Sequence, residues 1–317
     1  MKRLAALLCA LWALASGGAP ALAAIGTPTN TGQAINTSTV TTNYIPTTVD
    51  SPAGAAIIVV ISSSASSAYT VTDTASNTYS CSALSTWNST HKQLVCYSPN
   101  PVDLPAPVTA TGSITTTTVT FTTNPGTLVV NQAITGSGVT ALTQITGGIS
   151  QWNGSSASAT VNNSQTVVSE TLTVSSTITA SWTTGAKPAM AAISVSGLDL
   201  SAPLDITGTI NTGTGTSASV ATGTLAQANE IVIGALSYNN TPGTFTEASG
   251  FTSLTQPTQG SNDNTRWAYQ IVAATTTVTY APSWVTSRAF GANVYTFKQA
   301  GSSSAVAPRA LLLGVGN

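Results

Sequence analysis

Charge is what this sequence lacks most. Eight lysines and arginines stand against nine aspartates and glutamates in 317 residues, so charged side chains make up 5% of the chain. No basic patch is present to neutralise phosphates, and nucleic acid is excluded as a partner. Histidine is nearly missing, with His91 the one example. A serine nucleophile needs a positioned base, and no G-x-S-x-G elbow accompanies the many serines. His91, beside Lys92 in a polar loop, reads as an ordinary solvated side chain. Three cysteines and one histidine are too few for a zinc site of three or four ligands once two of the cysteines pair. Long apolar runs are missing as well. Beyond the leader no stretch approaches the ~20 residues of a spanning helix, and "RALLLGVGN" at the end is far too short.

The chain begins with an export pattern. Lys2 and Arg3 precede an apolar run from Leu4 to about Ala15, and Ala21-Leu22-Ala23 supplies an A-x-A cleavage site. This predicts a signal peptide over residues 1–23 and a secreted, extracellular or cell-surface protein. Cys9 lies within the apolar run, which argues against a lipoprotein cleavage site. Without Lys2 and Arg3 the balance is six basic against nine acidic residues, a net charge of −3. Cys81 and Cys96 remain after cleavage, in strand-like text on either side of "STWNSTH". An oxidising compartment predicts that they bond across a hairpin. Closing a loop of about 15 residues contributes ~3 kcal/mol.

Threonine, serine, valine and isoleucine dominate the rest, punctuated by glycine, asparagine and proline. Hydrophobic residues reach 42%, too many for a disordered polar tract. β-branched side chains favour pleated strands and the turn residues end them. Predicted strands include "TVTTNYIPTT", "GAAIIVVISSS", "AYTVTD", "KQLVCYS", "AMAAISVSG", "NEIVIGALSY", "TRWAYQIVA", "TTTVTYA" and "FGANVYTFK". The continuous apolar text of "GAAIIVVIS" fits a central strand buried on both faces. The fold class is all-β, an antiparallel sandwich.

From 113 to 174 the text turns almost wholly to Thr, Ser, Gly, Asn and Val, with Glu170 its one charge. This predicts a small β module inserted into a host sandwich made of 24–112 and 175–299, followed by a tail at 300–317 with an apolar end. The host text "VTDTASNTYS", "AISVSGLDLSAPLDITGT", "TGTLAQANEIVIGALSY" and "RAFGANVYTFK" resembles secreted bacterial jelly-roll sandwiches of the concanavalin A-like kind. The insert text "GTLVVNQAITGSGVTALTQITG" and "ATVNNSQTVVSETLT" resembles a small module of phage tail-fibre and related structural proteins. The resemblance implies architecture and carries no specific activity.

Few motifs suggest chemistry. Gly136-Ser137-Gly138-Val139-Thr140-Ala141 fits G-x-G-x-x-A, and so does Gly213 to Ala218. A dinucleotide fingerprint needs a following helix and an acid about 20 residues on. Strand-like text follows instead, so both stretches read as turns in a glycine-rich β protein. Two carboxylates flanking a bond would suit glycoside hydrolysis, for which Asp199, Asp205, Glu230 and Glu247 are the acids in reach. Each also reads as a turn or strand-end residue. Asp73 and Asp263 are weak calcium candidates, since aspartate, asparagine and carbonyl oxygens suffice; Asx turns explain the same text. Trp152, Trp284 and Trp87 lie in turn-rich text and Tyr238 precedes two asparagines, which makes them candidate ligand-binding aromatics. Trp267, Tyr269 and Ile271 alternate on one strand face and read as core. The expectation is a non-catalytic structural or adhesion-like surface protein that meets glycans or copies of itself. A lectin-like carbohydrate-binding module, calcium-assisted or not, is the alternative, and a glycoside hydrolase the third reading.

Overall fold

In the computed structural model, residues 23–64, 69–88, 90–254, 256–257 and 263–301 are described. The leader and the apolar end therefore lie outside the described residues, which contain antiparallel strands and no helix. The chain opens with β1 (Thr29–Ile35), β2 (Val40–Pro46), β3 (Ala56–Ser63), β4 (Tyr69–Asp73), β5 (Ser80–Cys81), β6 (Ser85–Trp87) and β7 (His91–Ser98). Next come β8 (Val108–Phe121), β9 (Ala133–Thr135), β10 (Ile145–Ser150) and β11 (Ala157–Ser175). β12 (Thr177–Ala186) and β13 (Ala189–Val195) return to the first group. The last stretch holds β14 (Leu204–Thr207), β15 (Asn211–Ser217), β16 (Val220–Thr224), β17 (Glu230–Asn239) and β18 (Phe245–Thr246). It ends with β19 (Thr252–Ser253), β20 (Asp263–Val272), β21 (Thr277–Tyr280) and β22 (Ser283–Lys298).

The residues expected to form one sandwich form two sheet pairs packed together. The inner sheet of the first pair is ordered β1-β13-β3-β7-β5, and its outer sheet β2-β12-β4. The second pair has an inner sheet β14-β22-β17-β20-β19 and an outer pair β16-β21. Side-chain alternation explains the buried strands. Ile57, Val59 and Ile61 face the outer sheet with Ile45, Val71, Ile178 and Trp182. Ala56, Ile58 and Val60 face the other inner sheet, against Ile231, Ile233, Trp267, Tyr295 and Phe297. A strand with apolar contacts on both faces must be apolar throughout, as the text of β3 is. Away from this apolar contact the inner sheets meet through polar groups, where Gln93 Nε2 donates to Ser237 Oγ at 2.8 Å.

The two pairs repeat one topology, and the match extends to single bonds. Ile35-Asn36-Thr37-Ser38-Thr39-Val40 corresponds to Ile210-Asn211-Thr212-Gly213-Thr214-Gly215. Trp182 donates its indole N–H to the Val40 carbonyl, and Trp284 donates its own to the Gly215 carbonyl. Trp182 stands opposite Tyr69, and Trp284 stands opposite Phe245. Asp73 accepts from the Tyr79 hydroxyl six residues on, and Glu247 accepts from Ser253 six residues on. Three residues after each acid the chain turns left-handed, at Ser76 (φ 61°) and Gly250 (φ 81°).

One connection differs between the units. The second unit joins β20 to β21 through residues 273–276, whereas the first joins β7 to β12 through 99–176. That long connection contains β8 to β11, a four-stranded sheet with β11 central. Ile114, Phe121, Ile134, Ile145, Val167 and Leu172 form its own hydrophobic core. The β8–β11 ladder runs outward to Val108↔Val174, so the sheet begins on the N-terminal side of Ser113. It is tied to the first unit by the Thr177 hydroxyl, which donates to the Asn131 carbonyl at 2.8 Å, and by the Tyr44 hydroxyl, which donates to Thr143.

Candidate functional site

Burial separates the four candidate aromatics. Trp284 is 4% exposed, edge-on to Phe290 with its N–H bonded to Gly215. Tyr238 is 1% exposed, and its hydroxyl accepts from Arg266 Nε at 2.9 Å. Trp87 is 1% exposed, stacked on His91 and pressed against Gly291 of the second unit. These three are core residues, and their turn-rich text marks strand ends rather than surface. His91 accordingly begins β7 against an indole and is not a solvated loop side chain. On the alternating face of β20, Trp267 is buried, Tyr269 half-buried and Ile271 exposed, so burial fades toward the strand end.

Trp152 is the candidate left at the surface. It is half-buried, resting on the inserted core, and it lines a cleft of about 410 Å³ with Asn124, Gly126, Thr127 and Gln151. Two further clefts, about 140 and 180 Å³, adjoin it through Thr127. They are lined by Pro105, Gln132 and Ser176, and the last reaches Ala75 and Asp103. The three share Thr127 and together make a trough on the inserted module, whose last cleft meets the first unit at Thr74 and Ala75. Paired glutamines hold its wall. Gln151 accepts from Leu128 N–H at 3.0 Å and donates to the Leu128 carbonyl at 2.6 Å. Gln132 accepts from Val129 N–H at 2.8 Å and donates to the Thr127 carbonyl at 3.1 Å. Asn124 Oδ1 accepts from Gly126 N–H, fixing the turn at Pro125. Apart from Trp152, the sequence reading missed these trough residues. The text "TNPGT" and "SQWNG" marked two turns without showing that they meet.

The larger groove, about 510 Å³, lies between Ile206–Asn211 and Ser219–Gly223 in the second unit. Its lining carries no titratable side chain.

The acids are mostly engaged with their own loops. Asp73 Oδ1 accepts from the N–H groups of Ala75 and Asn77, and its Oδ2 accepts from the Asn77 amide and the Tyr79 hydroxyl. Four donors occupy the carboxylate of this calcium candidate. The other, Asp263, opens β20, and its side chain lies outside the described residues. Asp199 accepts from Ser201 and Ala202, and those N–H groups hold its carboxyl below the usual range. Glu247 accepts from Ala248 N–H and the Ser253 hydroxyl. Glu230 is fully buried at the start of β17 and faces Asp205 and Thr296. Burial raises its pKa, and the neighbouring Asp205 carboxylate adds to the rise. Glu230 Oε1 accepts from the Gln227 N–H at 3.2 Å, and Asp205 Oδ2 accepts from the Ala226 N–H at 3.1 Å. Asp103, exposed at the trough's end, is raised by slight burial and by the adjacent Asp50 carboxylate. Among the described residues no group of three His, Cys, Asp or Glu side chains could hold a metal ion.

The glycine motifs are taken up by packing and by hydrogen bonds within the sheets. Gly136 packs so closely on β11 that a Cβ would meet Leu172 Cδ2 at 2.9 Å. The Val139 N–H is turned back to the Gly136 carbonyl, and the Thr140 N–H donates to Gln165. Gly213 and Gly215 lie inside β15, opposite Phe290 and Arg288. Among the described residues no helix follows either motif to hold a pyrophosphate. The chain matches no protein-family profile, no curated protein and no solved structure.

Proposed function

We propose that this chain is an exported, non-catalytic surface-interaction protein, structural or adhesion-like, whose duplicated sheet pairs serve as a frame for one presented module. A single observation carries the reading. Both units build the same strands, but the connection after β7 expands into a sheet with its own core, while its counterpart after β20 stays at 273–276. Binding residues are disproportionately carried on loops that a rigid scaffold positions. The engagement of Asp73, Asp199 and Glu247 by their own loops also favours a frame over a reaction centre.

The finer assignments belong to the same proposal. Export rests on the leader text at residues 1–23. A jelly roll is supported by the order β1-β13-β3-β7 facing β2-β12-β4, repeated as β14-β22-β17-β20 facing β16-β21. The concanavalin A-like and phage tail-fibre likenesses rest on the quoted text alone.

The test is binding of the labelled mature protein to intact cells and extracellular polymers, run beside a polymer-hydrolysis panel. Saturable surface binding without hydrolysis is expected. A cleaving activity lost in Glu230→Gln or Asp205→Asn would overturn the reading.

A further inference from the structure

We infer that the trough running from Trp152 across the inserted module to the first unit is a binding site for a neutral oligosaccharide chain. The inference rests on the surface-interaction reading and gives that surface an address.

Chemistry of the lining points to a sugar. A pyranose ring offers an apolar C–H face and a rim of hydroxyls. Trp152 supplies a half-buried indole for the face, and Asn124, whose Oδ1 is already bonded to Gly126, offers its amide N–H groups to the rim. Past Thr127 the lining includes Pro105, Ala106, Val108 and Pro125 beside Gln132 and Ser176, so a further ring would meet apolar carbon and polar groups together. The lining carries no charge until Asp103. There the Asp50 and Asp103 carboxylates oppose an anionic chain.

The trough is also built in advance. Gln151 is pinned to Leu128 by two hydrogen bonds, and Asn153 Oδ1 accepts from both Ser155 and Ser156. The turn bearing Trp152 is thus held on both sides, which lowers the entropy lost on binding.

A peptide is the competing occupant, and the backbone argues against it. A peptide that adds to a sheet edge needs free main-chain donors and acceptors. Here the Thr127 carbonyl, both Leu128 groups and the Val129 N–H are already satisfied by Gln132 and Gln151. What remains for a ligand is side-chain amide, hydroxyl and indole face.

The experiment titrates the mature full-length protein with cellohexaose, chitohexaose, laminarihexaose and mannohexaose, and with an uncharged extended peptide, by calorimetry and tryptophan fluorescence. At least one hexasaccharide is expected to bind and to shift the tryptophan emission. Trp152→Ala should weaken it by about tenfold, the scale of one aromatic contact. Trp152 packs on the inserted core, so Asn124→Asp, which keeps the oxygen that accepts from the Gly126 N–H and removes the amide donors, serves as the second variant and should weaken binding without lowering thermal stability. Trp284→Phe, far from the trough in the second unit's core, should leave binding unchanged. Failure of all four sugars at millimolar concentration, wild-type affinity in both trough variants, or capture of the peptide instead would each overturn the inference. If labelled protein still binds cells while every hexasaccharide fails, the trough assignment falls and the surface reading stands. If neither binds, both fall.

Discussion

Trp284 donates its indole N–H to the carbonyl of Gly215 at 2.9 Å, inside the core of the second unit. The bond ties the start of β22 to β15, just as Trp182 ties β12 to Val40 in the first unit. Replacing either tryptophan with phenylalanine keeps most of the ring and removes the donor, leaving a carbonyl short of a partner. Each change should cost about 1 kcal/mol, and Trp284→Ala about 3–5 kcal/mol because a cavity is added. Equilibrium denaturant unfolding measures both. Near-equal losses at Trp182 and Trp284 are expected from the repeated geometry, and a neutral Trp284→Ala would contradict its place in the core.

Cys81 and Cys96 face each other across β5 and β7, with their sulfurs joined at 2.05 Å. Cys96 is fully buried while Cys81 is exposed, so the bond anchors a two-residue edge strand to the core. Removing both cysteines as Cys81→Ala with Cys96→Ala should cost about 3 kcal/mol, the loop-closure value for a span of 15 residues. Unfolding curves with and without reductant should differ for the wild type and coincide for the double variant.

Much of this architecture was legible in the text, and the reasons for the gaps are physical. β3, β7, β13, β17, β20 and β22 stand where β-branched or apolar runs end at turn residues. β1 is different. Its text, TNTGQAI, has little strand preference, and it is a strand because β13 pairs with it from Thr29 to Ile35, across a bulge between Asn30 and Gly32. The duplication escaped notice because its visible identity is little more than "INT" and one tryptophan, interrupted in the first unit by the inserted sheet. Repetition survives in register and hydrogen bonds, which sequence text does not display. Local text also misjudged Trp284 and Trp87. Asn88 does mark a chain reversal beside Trp87, but at Pro282 the chain runs on from β21 into β22 in one register, Val220↔Tyr280 then Ser217↔Ser283, and whether an indole is buried depends on the sheet that covers it. Trp152 shares its trough with Asn124 and Gln132 only because β10 and β11 bring distant turns together.

Glu230 gives the fold a pH dependence whose sign can be worked out. Its folded pKa is raised, by burial first and then by Asp205, against the lowering effect of the Thr296 hydroxyl and the Gln227 N–H. A carboxyl with a raised folded pKa holds its proton more tightly in the native state than when unfolded. Stability is then greatest below the ordinary carboxylate pKa and declines as pH rises through the folded value. Asp199, lowered by its turn N–H groups, acts in the opposite sense and loses its contribution as pH falls. Thermal unfolding of Glu230→Gln across mildly acidic to neutral pH should be flatter than that of the wild type. Identical pH profiles would refute the role of the buried carboxyl.

The two glycines of the 136–141 motif should respond differently to alanine. At Gly136 a Cβ meets Leu172 Cδ2 at 2.9 Å and the Thr171 carbonyl at 3.1 Å, so the buried Leu172 side chain or β11's backbone must give way. At Gly138 there is open space, but φ is 71° and a side chain costs about 1–2 kcal/mol there. Gly136→Val should be the most damaging, destabilising the inserted sheet by about 1–3 kcal/mol through overpacking. Proteolysis within 108–175 would report it, and nucleotide titration should show no binding to any of these proteins. A Gly136→Val variant as stable as the wild type would show that this close approach is not needed.

Trp87 and Gly291 hold the most informative contact between the two units. A Cβ on Gly291 would fall 2.5 Å from Trp87 Cβ and Cγ, atoms of a side chain with no room to retreat. Trp87 belongs to the edge of the first inner sheet, and Gly291 lies in β22, next to the central strand of the second. Gly291→Ala therefore presses on the interface while leaving each unit's own sandwich core in place. A cost of about 1–3 kcal/mol is expected, the range for overpacking. The shape of the transition carries more information than the cost. If the shared apolar face couples the units, the wild type unfolds in one calorimetric step and Gly291→Ala broadens or splits it. Paired tryptophan reporters, Trp182 in the first core and Trp284 in the second, can follow the units separately. Unchanged single-step unfolding in Gly291→Ala would mean that the polar contact of Gln93 with Ser237 and the apolar face beyond it couple the units without help from this position.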